Sequence, residues 1–189
     1  MSQAAAKNTR SSKFSVRDIC YTGLFAAVIA VMAQISIPMP LGVPMTMQTF
    51  AITLAAVVLG SKLSAMASLV YLILGAVGVP VLASFSGGID KFVGPTGGFL
   101  ISFPLMAYII GLGVEHRNAF KGAFPLAVVV GTVVNYIVGV VLFVIVAHST
   151  VAVAISACVL PFIPTAIIKA VLACAIGLNI RKRIPGLKA

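Results

Sequence analysis

The run GAFPLAVVVGTVVNYIVGVVLFVIVA, residues 122–147, decides the fold class of this chain. It contains no charged side chain, and it exceeds the roughly 20 apolar residues with which an α-helix spans a bilayer. The rest of the chain has the same character, since 61% of its 189 residues are hydrophobic and only 8% are charged. A soluble domain needs a solvated surface and carries about 25% charged residues. The sequence therefore predicts an integral membrane protein embedded in the lipid bilayer.

Five further apolar segments accompany this run, so we predict an all-α bundle of six transmembrane helices. The predicted helices cover residues of about 17–37, 48–60, 63–79, 98–114, 122–147 and 156–180. The first is too long for the apolar part of a signal peptide, and we interpret it as a retained helix. The membrane domain is thus predicted at 17–183. A basic cytoplasmic tail at 1–16 precedes it, and a short cytoplasmic tail at 184–189 follows it.

The net charge of +10 comes from thirteen Lys and Arg against three acidic residues. In a soluble protein this balance favours nucleic acid as a partner. Here the cations lie in short clusters between apolar runs, as in cytoplasmic loops that face anionic lipid. With both termini in the cytoplasm, eleven of the thirteen cations lie inside: Lys7, Arg10, Lys13, Arg17, Lys62, Arg117, Lys121, Arg181, Lys182, Arg183 and Lys188. We predict this orientation and no nucleic acid partner.

No catalytic, metal or nucleotide-binding set assembles from the sequence. The acids Asp18, Asp90 and Glu115 are far apart, the two histidines are also separated, and the three distant cysteines have no C-x-x-C spacing. The G-x-x-x-x-G-K-[ST] motif of P-loop ATPases is absent. No acid is visible at membrane depth, where ion-driven carriers usually keep one. The chain is therefore predicted to bind a ligand without a cofactor, to catalyse no reaction and to lack an energy source of its own.

Lys169 is the main candidate for a functional residue. It lies in the sixth apolar segment, 12 residues before Arg181, or about 18 Å along a helix. A lysine at that depth costs roughly 2.5–3.5 kcal/mol on insertion scales, and it needs a cavity, a counter-charge or an anion. It could receive a ligand carboxylate. The alternative is a side chain that extends to the outer membrane surface.

Two amides and a tyrosine are further polar candidates at predicted membrane depth or near it. Asn135, beside Tyr136, could offer a donor and an acceptor to a ligand, or it could form an interhelical hydrogen bond. Gln48 begins the second predicted helix. There it either caps the helix with its polar neighbours or reaches a pocket through a loop that dips into the outer mouth.

The segment 85–98 is rich in glycine, which lets backbone approach closely and exposes its amides, although turns require glycine too. Its aromatic residues Phe85 and Phe92, with Phe99 just beyond, could wall an apolar ligand. Small residues spaced by four on the first helix, Gly23/Ala27 and Ala26/Ala30, permit close helix packing. That packing could lie within the chain or between subunits.

Several motifs together resemble the BioY family, the biotin-binding S-components of energy-coupling-factor transporters. They are Val43-Pro44-Met45-Thr46-Met47-Gln48-Thr49, then Tyr71-Leu72-Ile73-Leu74-Gly75-Ala76-Val77-Gly78-Val79-Pro80-Val81, then Gly87-Gly88 and Gly94-Pro95-Thr96-Gly97-Gly98-Phe99-Leu100. The resemblance covers about 17–183. The Gly-Pro-Thr-Gly-Gly run after a Gly-Gly pair is its specific part.

The resemblance implies a six-helix S-component bundle in a bacterial plasma membrane. Its pocket would face outward, beneath the loops between helices one and two and between helices three and four. The implied partners are a transmembrane coupling protein of the EcfT type, which would dock on Ala26 and Ala30, and two ABC-type ATPases that supply energy. The expected ligand is biotin. The expected substrate-binding residues are Lys169, Asn135, Tyr136, Gln48, Asp90, Phe85, Phe92, Gly97, Gly98 and Met45.

One position departs from the family pattern, in which the last helix reads Pro-Gly-Asp and then, three residues on, Lys. Here Ala166 stands where the acid is expected before Lys169, so either Asp90 or the ligand compensates, or the binding details differ. An S-component for another vitamin, a self-sufficient secondary carrier and an intramembrane enzyme are the competing interpretations. The last lacks a nucleophile–base or metal set.

Overall fold

The computed structural model describes residues 15–39, 42–117 and 122–184, and this part of the chain is mostly helical. The predicted tail at 1–16 lies almost entirely outside the described residues, as does the tail at 184–189. The elements are α1 (Val16–Ala33), β1 (Ser36–Ile37), β2 (Met45–Thr46), α2 (Gln48–Leu59), α3 (Ser61–Ala76), α4 (Asp90–Val93), α5 (Gly97–Glu115), α6 (Ala123–Val146), α7 (Val151–Cys158) and α8 (Ile163–Arg183). Strands β1 and β2 pair antiparallel in a short hairpin.

Four stretches of the described chain are long and apolar enough to cross a membrane. They are α1, α5, α6 and the stretch Val151–Arg183, which contains α7 and α8. Helices α2 and α3 are apolar but shorter, at 12 and 16 residues. At 1.5 Å per residue, α2 is only about 18 Å long. In α2 every residue except Thr49 is buried, so this helix is enclosed by its neighbours and contacts little lipid.

All six predicted apolar segments contain a helix, but two boundaries were wrong. The first helix ends at Ala33, and residues 36–37 form β1 instead. The sixth begins at Ile163, because residues 151–158 form the separate helix α7 and Leu160–Phe162 form a 3₁₀ turn. Pro161 and Pro164 explain the second error. Neither can donate a backbone hydrogen bond, and each is tolerated only in the first turn of the element that it begins.

Helices α2 and α5 lie at the centre of the bundle. Helix α5 packs against α2, α3 and α6, while α2 also packs against α8, and α1 packs against α3. Glycines allow the closest approaches: a Cβ at Gly177 would lie 2.7 Å from Cγ1 of Val57, across the α2–α8 contact. Small residues at helix crossings are typical of membrane bundles, where close packing replaces hydrophobic expulsion from water.

The corner between α2 and α3 is a single residue, Gly60, with a φ of +85°. The carboxylate of Glu115, at the end of α5, accepts hydrogen bonds from the backbone N–H of Ser61 at 2.7 Å and from its hydroxyl at 2.9 and 3.0 Å. Since Ser61 begins α3, this negative charge lies at the positive end of the α3 dipole.

A buried arginine completes the same corner from the other side. Arg181 of α8 is 5% exposed, and its Nη1 donates to the carbonyls of Val57 at 3.2 Å and Val58 at 3.0 Å. These carbonyls belong to the last turn of α2, where the helix dipole is negative. Opposite charges from α5 and α8 therefore satisfy the two helix ends that meet at this corner.

Replacing Glu115 with glutamine is expected to lower the free energy of unfolding by about 1–2 kcal/mol. The variant keeps the size of the side chain but removes the charge from the α3 N-terminus and weakens the bonds to Ser61. Unfolding in detergent, followed by circular dichroism, measures the change. Lys182→Gln is the control, because Lys182 is exposed in the last turn of α8. Equal stability of the two variants would contradict a capping role for Glu115.

Candidate functional site

A cavity of about 470 Å³ opens at the end of the bundle that carries the hairpin and the α3–α5 connection. The first turn of α2, the first two turns of α5 and α8, and the middle of α6 form its walls. Its lining includes Val43, Pro44, Thr46, Gln48, Thr49, Leu82, Ser86, Asp90, Lys91, Pro95, Thr96, Phe99, Phe103, Asn135, Tyr136, Cys158, Phe162, Thr165, Ala166 and Lys169. Its volume falls in the range of roughly 300–1,000 Å³ that is usual for small-molecule sites.

Lys169 points into this cavity from the second turn of α8, at the predicted sixth segment. Its Nζ donates to the backbone carbonyl of Thr46 at 2.7 Å. Within the described residues no acidic side chain pairs with it. Asp90 also lines the cavity but pairs with Lys91 at 3.5 Å. Asp90 therefore does not take the place of the acidic residue that the family pattern has at position 166. The ammonium group of Lys169 donates to a backbone carbonyl instead.

Gln48 belongs to a hydrogen-bonded chain that holds this carbonyl in place. Its Oε1 accepts from the Thr46 hydroxyl at 2.8 Å, and its Nε2 donates to the Tyr71 hydroxyl at 2.6 Å. Tyr71 lies on α3 and is fully buried. The amide of Gln48 thus has a protein partner on both sides, and it connects α3 to the loop segment that receives Lys169.

Asn135 forms the interhelical bond that its sequence allowed, and it also lines the cavity. The residue is 2% exposed, and its Nδ2 donates to the Phe99 carbonyl at 3.1 Å and to the Ser102 hydroxyl at 2.8 Å on α5. Its Oδ1 accepts no hydrogen bond from the described residues. Tyr136 stacks edge-to-face on Phe99, with ring centroids 6.4 Å apart and an interplanar angle of 84°. This corner combines an available acceptor with an aromatic wall.

Five of the ten predicted binding residues come together in the cavity: Gln48, Asp90, Asn135, Tyr136 and Lys169. The other five, which are Met45, Phe85, Phe92, Gly97 and Gly98, lie outside its lining. Phe85 is 72% exposed, because it and Ser84 both adopt positive φ angles in a tight turn. Phe92 packs against the core, and Met45 is half-buried in β2.

Gly97 and Gly98 serve helix packing in this structure. A Cβ at Gly97 would collide with the backbone of Phe92. One at Gly98 would lie 2.5 Å from the carbonyl oxygen of Val138 on α6. Both residues are buried at the start of α5. Their lack of side chains allows α5 to approach its neighbours and so brings Asn135 within reach of Phe99.

Sequence reasoning missed two aromatic residues of the lining, Phe103 and Phe162. Phe103 follows Phe99 by four residues on α5, so helical spacing alone would have placed both rings on one face. Phe162 gave no such signal, because the sequence predicted a continuous helix through it.

The sequence model of the BioY family matches residues 5–186 of the chain. This chain belongs to the BioY family. A biotin transporter BioY from Thermotoga maritima is 42% identical over 88% of this chain and 97% of the relative. Another from Rhizobium etli is 35% identical over 93% and 98%, respectively. The crystal structure of the S-component for biotin from an ECF-type ABC transporter superposes with a TM-score of 0.80 at 27% identity, covering 89% of this chain and 93% of that chain.

In this BioY family member, a glutamine joins the two segments that border the cavity mouth. Gln34 follows α1; its Nε2 donates to the carbonyls of Ala30 at 2.8 Å and Val81 at 3.2 Å, and its Oε1 accepts from the Phe85 N–H at 2.7 Å. Nearby, the hydroxyls of Ser36 and Ser84 lie 2.7 Å apart. The hairpin and the α3–α5 connection are thereby tied to each other and to α1.

The docking surface expected on α1 of a BioY protein needs one correction. Ala26 is 3% exposed and packs in the core, and Ala30 is half-buried beside it. The other small pair, Gly23 and Ala27, is exposed. The two pairs share one side of α1, since their spacing is that of a single helix face. The bundle covers its inner edge at Ala26, and its outer edge at Gly23 and Ala27 is open.

Proposed function

We propose that this chain is the biotin-binding membrane subunit of an ATP-driven ECF vitamin transporter. The observation that carries the proposal is the cavity of about 470 Å³, with aromatic walls, an available amide oxygen and a deep ammonium group, in a member of the BioY family. Relatives across nearly the whole chain are named biotin transporters, and a similar solved structure is an S-component for biotin. The chain would bind its ligand reversibly and catalyse no reaction.

The lining suits the chemistry of biotin, which combines a urea-containing bicycle, a thioether and a valerate anion. The Oδ1 of Asn135 is available to accept from a urea N–H, because the Nδ2 of this amide is already used by α5. Phe99 and Tyr136 offer apolar ring surface to the bicycle. Lys169 supplies a positive charge for a polar or anionic end of the ligand. Gln48 contributes by holding Thr46, on which Lys169 rests.

Energy for uptake would come from partner proteins. We propose a transmembrane coupling protein of the EcfT type and two ABC ATPases, with all six apolar helices within 17–183 in a bacterial plasma membrane and both termini in the cytoplasm. The distribution of Lys and Arg supports this orientation. The exposed small residues Gly23 and Ala27 on α1 would let a helix of the coupling protein approach closely.

Titration of the purified chain in detergent with biotin tests the proposal, with thiamine and riboflavin as controls. We expect tight, selective biotin binding without any partner. A folded sample that ignores biotin, or that prefers a control vitamin, would overturn the assignment. Uptake of labelled biotin by proteoliposomes containing this chain alone would instead favour a self-sufficient carrier, whereas uptake only with the coupling protein and ATPases supports an S-component.

The loops that border the cavity are expected to slow biotin release through Gln34. Gln34→Leu keeps a similar volume but removes the hydrogen bonds to Val81 and Phe85. The α3–α5 connection at the cavity mouth then opens more readily, and biotin dissociates about fivefold faster. Release of labelled biotin after addition of excess unlabelled biotin measures the rate. Asn179→Leu is the control, since this amide is exposed near the other end of α8. An unchanged release rate in Gln34→Leu would show that these bonds do not hold the α3–α5 connection over the cavity.

A further inference from the structure

A second, much smaller cleft of about 20 Å³ lies behind the ligand cavity, between α2, α5, α6 and α8. It shares Asn135 and Lys169 with the cavity and continues one helical turn further into the bundle. Thr53 follows the cavity residue Thr49 by one turn on α2, and Thr132 precedes Tyr136 by one turn on α6. The cleft is therefore a polar extension of the site at its deep end.

Two polar groups at this cleft have no hydrogen-bond partner in the described chain, although their residues are almost fully buried. Thr53 is 2% exposed, and its hydroxyl bonds to none of the described residues. Asn135 is also 2% exposed, and its Oδ1 is equally unpartnered. Thr132 differs, because its hydroxyl donates to the Val128 carbonyl at 2.8 Å, which leaves its oxygen able to accept. Among the described residues, neither atom belongs to the fully enclosed polar atoms without a partner, so both remain accessible from the cleft. Polar atoms of nearly buried residues normally have a partner, and a molecule in the cleft can supply it.

The size and chemistry of the cleft determine which molecule fits. Its volume exceeds the roughly 10–15 Å³ needed for one water and leaves no room for a larger group. A cation would face the ammonium group of Lys169, and an anion would face the carbonyl oxygen of Asn135. Water can donate to Asn135 and to Thr53 while it accepts from Lys169, and it needs two to four such partners.

We propose that this cleft binds one structural water molecule, held by Thr53, Asn135 and Lys169, which stays in place beneath the transported ligand. Lys169 has three N–H donors, of which the Thr46 carbonyl takes one at 2.7 Å. The water accepts a second and leaves the third for the ligand. The Oδ1 of Asn135 has two lone pairs, so it can accept one bond from the water and one from the ligand. It thereby keeps the ammonium group solvated at membrane depth and fixes its direction. This effect on affinity rests on the proposed function, whereas the presence of the water does not.

Substitutions at Thr53 separate a water site from plain packing. Thr53→Val keeps the shape and removes the hydroxyl, and we expect biotin binding to weaken about five- to tenfold by isothermal titration in detergent. Thr53→Ser keeps the hydroxyl and should bind within about twofold of the wild type. Thr22→Val is the matched control, because Thr22 is also buried but donates to the Asp18 carbonyl at 2.8 Å, outside both cavities. Removing an unsatisfied hydroxyl from a purely packed site is neutral or stabilising. Folded Thr53→Val that binds biotin as tightly as the wild type would overturn the proposal.

A crystal structure of the ligand-free wild type tests the water directly, even where Thr53→Val fails to fold. We expect a solvent peak within about 3.2 Å of both Thr53 Oγ1 and Asn135 Oδ1. A well-defined map without density in the cleft would overturn the water site. Since this measurement needs no ligand, its outcome is independent of whether the wild type binds biotin. Failure of the water and failure of the proposed function are thus distinguishable.

Discussion

Replacing Lys169 with methionine is expected to weaken biotin binding by about 100-fold. Methionine preserves the length and apolar contacts of the side chain but removes the ammonium group. The loss includes the bond to Thr46 at 2.7 Å and any charge-assisted bond to the ligand. Such bonds contribute about 1.5–3 kcal/mol, and a 100-fold change corresponds to about 2.8 kcal/mol. Isothermal titration of the variant in detergent measures the affinity.

The matched control for this substitution is Lys182→Met. Lys182 lies in the last turn of the same helix, but it is exposed and far along α8 from the cavity. Both variants change the net charge equally, so a shared loss of affinity would indicate a general electrostatic effect. Unchanged binding in Lys169→Met would show that Lys169 only anchors the Thr46 segment and that the ligand is recognised by other groups.

The depth of Lys169 was predictable because a charged residue interrupts an otherwise apolar run. The identity of its partner was not. In the structure the ammonium group rests on a backbone carbonyl at Thr46, 123 residues earlier in the chain. A carbonyl partner leaves no mark in the amino-acid sequence, whereas a carboxylate would. The sequence thus indicated that Lys169 needed compensation, and the fold decided which group provides it.

In the glycine-rich segment 85–98, the local backbone was partly predictable, but the direction of one side chain was not. Its composition predicted close backbone approach and turns over 85–98, and this segment also contains the short helix α4 (Asp90–Val93) and the start of α5 at Gly97. The direction of Phe85 was not predictable, because it depends on the local φ angles of +57° and +54° at Ser84 and Phe85 and on the distant amide of Gln34. This turn exposes the ring of Phe85, which the sequence predicted to line the ligand site.

Family membership was recognisable from motifs whose glycines make close backbone contacts and hydrogen bonds. Gly75 and Gly88 illustrate this point. The Gly88 N–H donates to the Gly75 carbonyl at 2.8 Å, and a Cβ at Gly75 would lie 2.5 Å from the side chain of Leu82. The resemblance to the BioY family is confirmed by the family match. The same motifs say less about ligand contacts, since several of their glycines are used for packing.

Gly98→Ala is expected to lower the free energy of unfolding by about 3 kcal/mol and to weaken biotin binding. The added Cβ would lie 2.5 Å from the Val138 carbonyl oxygen, 2.8 Å from Leu142 Cβ and 3.0 Å from Gly139 Cα. Two of these atoms belong to the backbone of α6, which cannot move aside without shifting the helix. Overpacking of this kind costs about 1–3 kcal/mol or more. Thermal unfolding in detergent, with biotin titration of the folded fraction, measures both effects.

Gly23→Ala provides the same chemical change on an open surface. Apart from the backbone of its own helix, no atom of the described residues lies within 4 Å of its added Cβ. The variant should therefore be neutral or slightly more stable, because alanine favours helix. The pair of variants separates two roles for Gly98. A packing role predicts lost stability together with weaker binding, since Asn135 is carried by the displaced α6. Weaker binding with full stability would instead support the ligand-contacting role that the motif suggested for Gly98. It would also show that the α5–α6 contact adjusts more easily than the backbone distances imply.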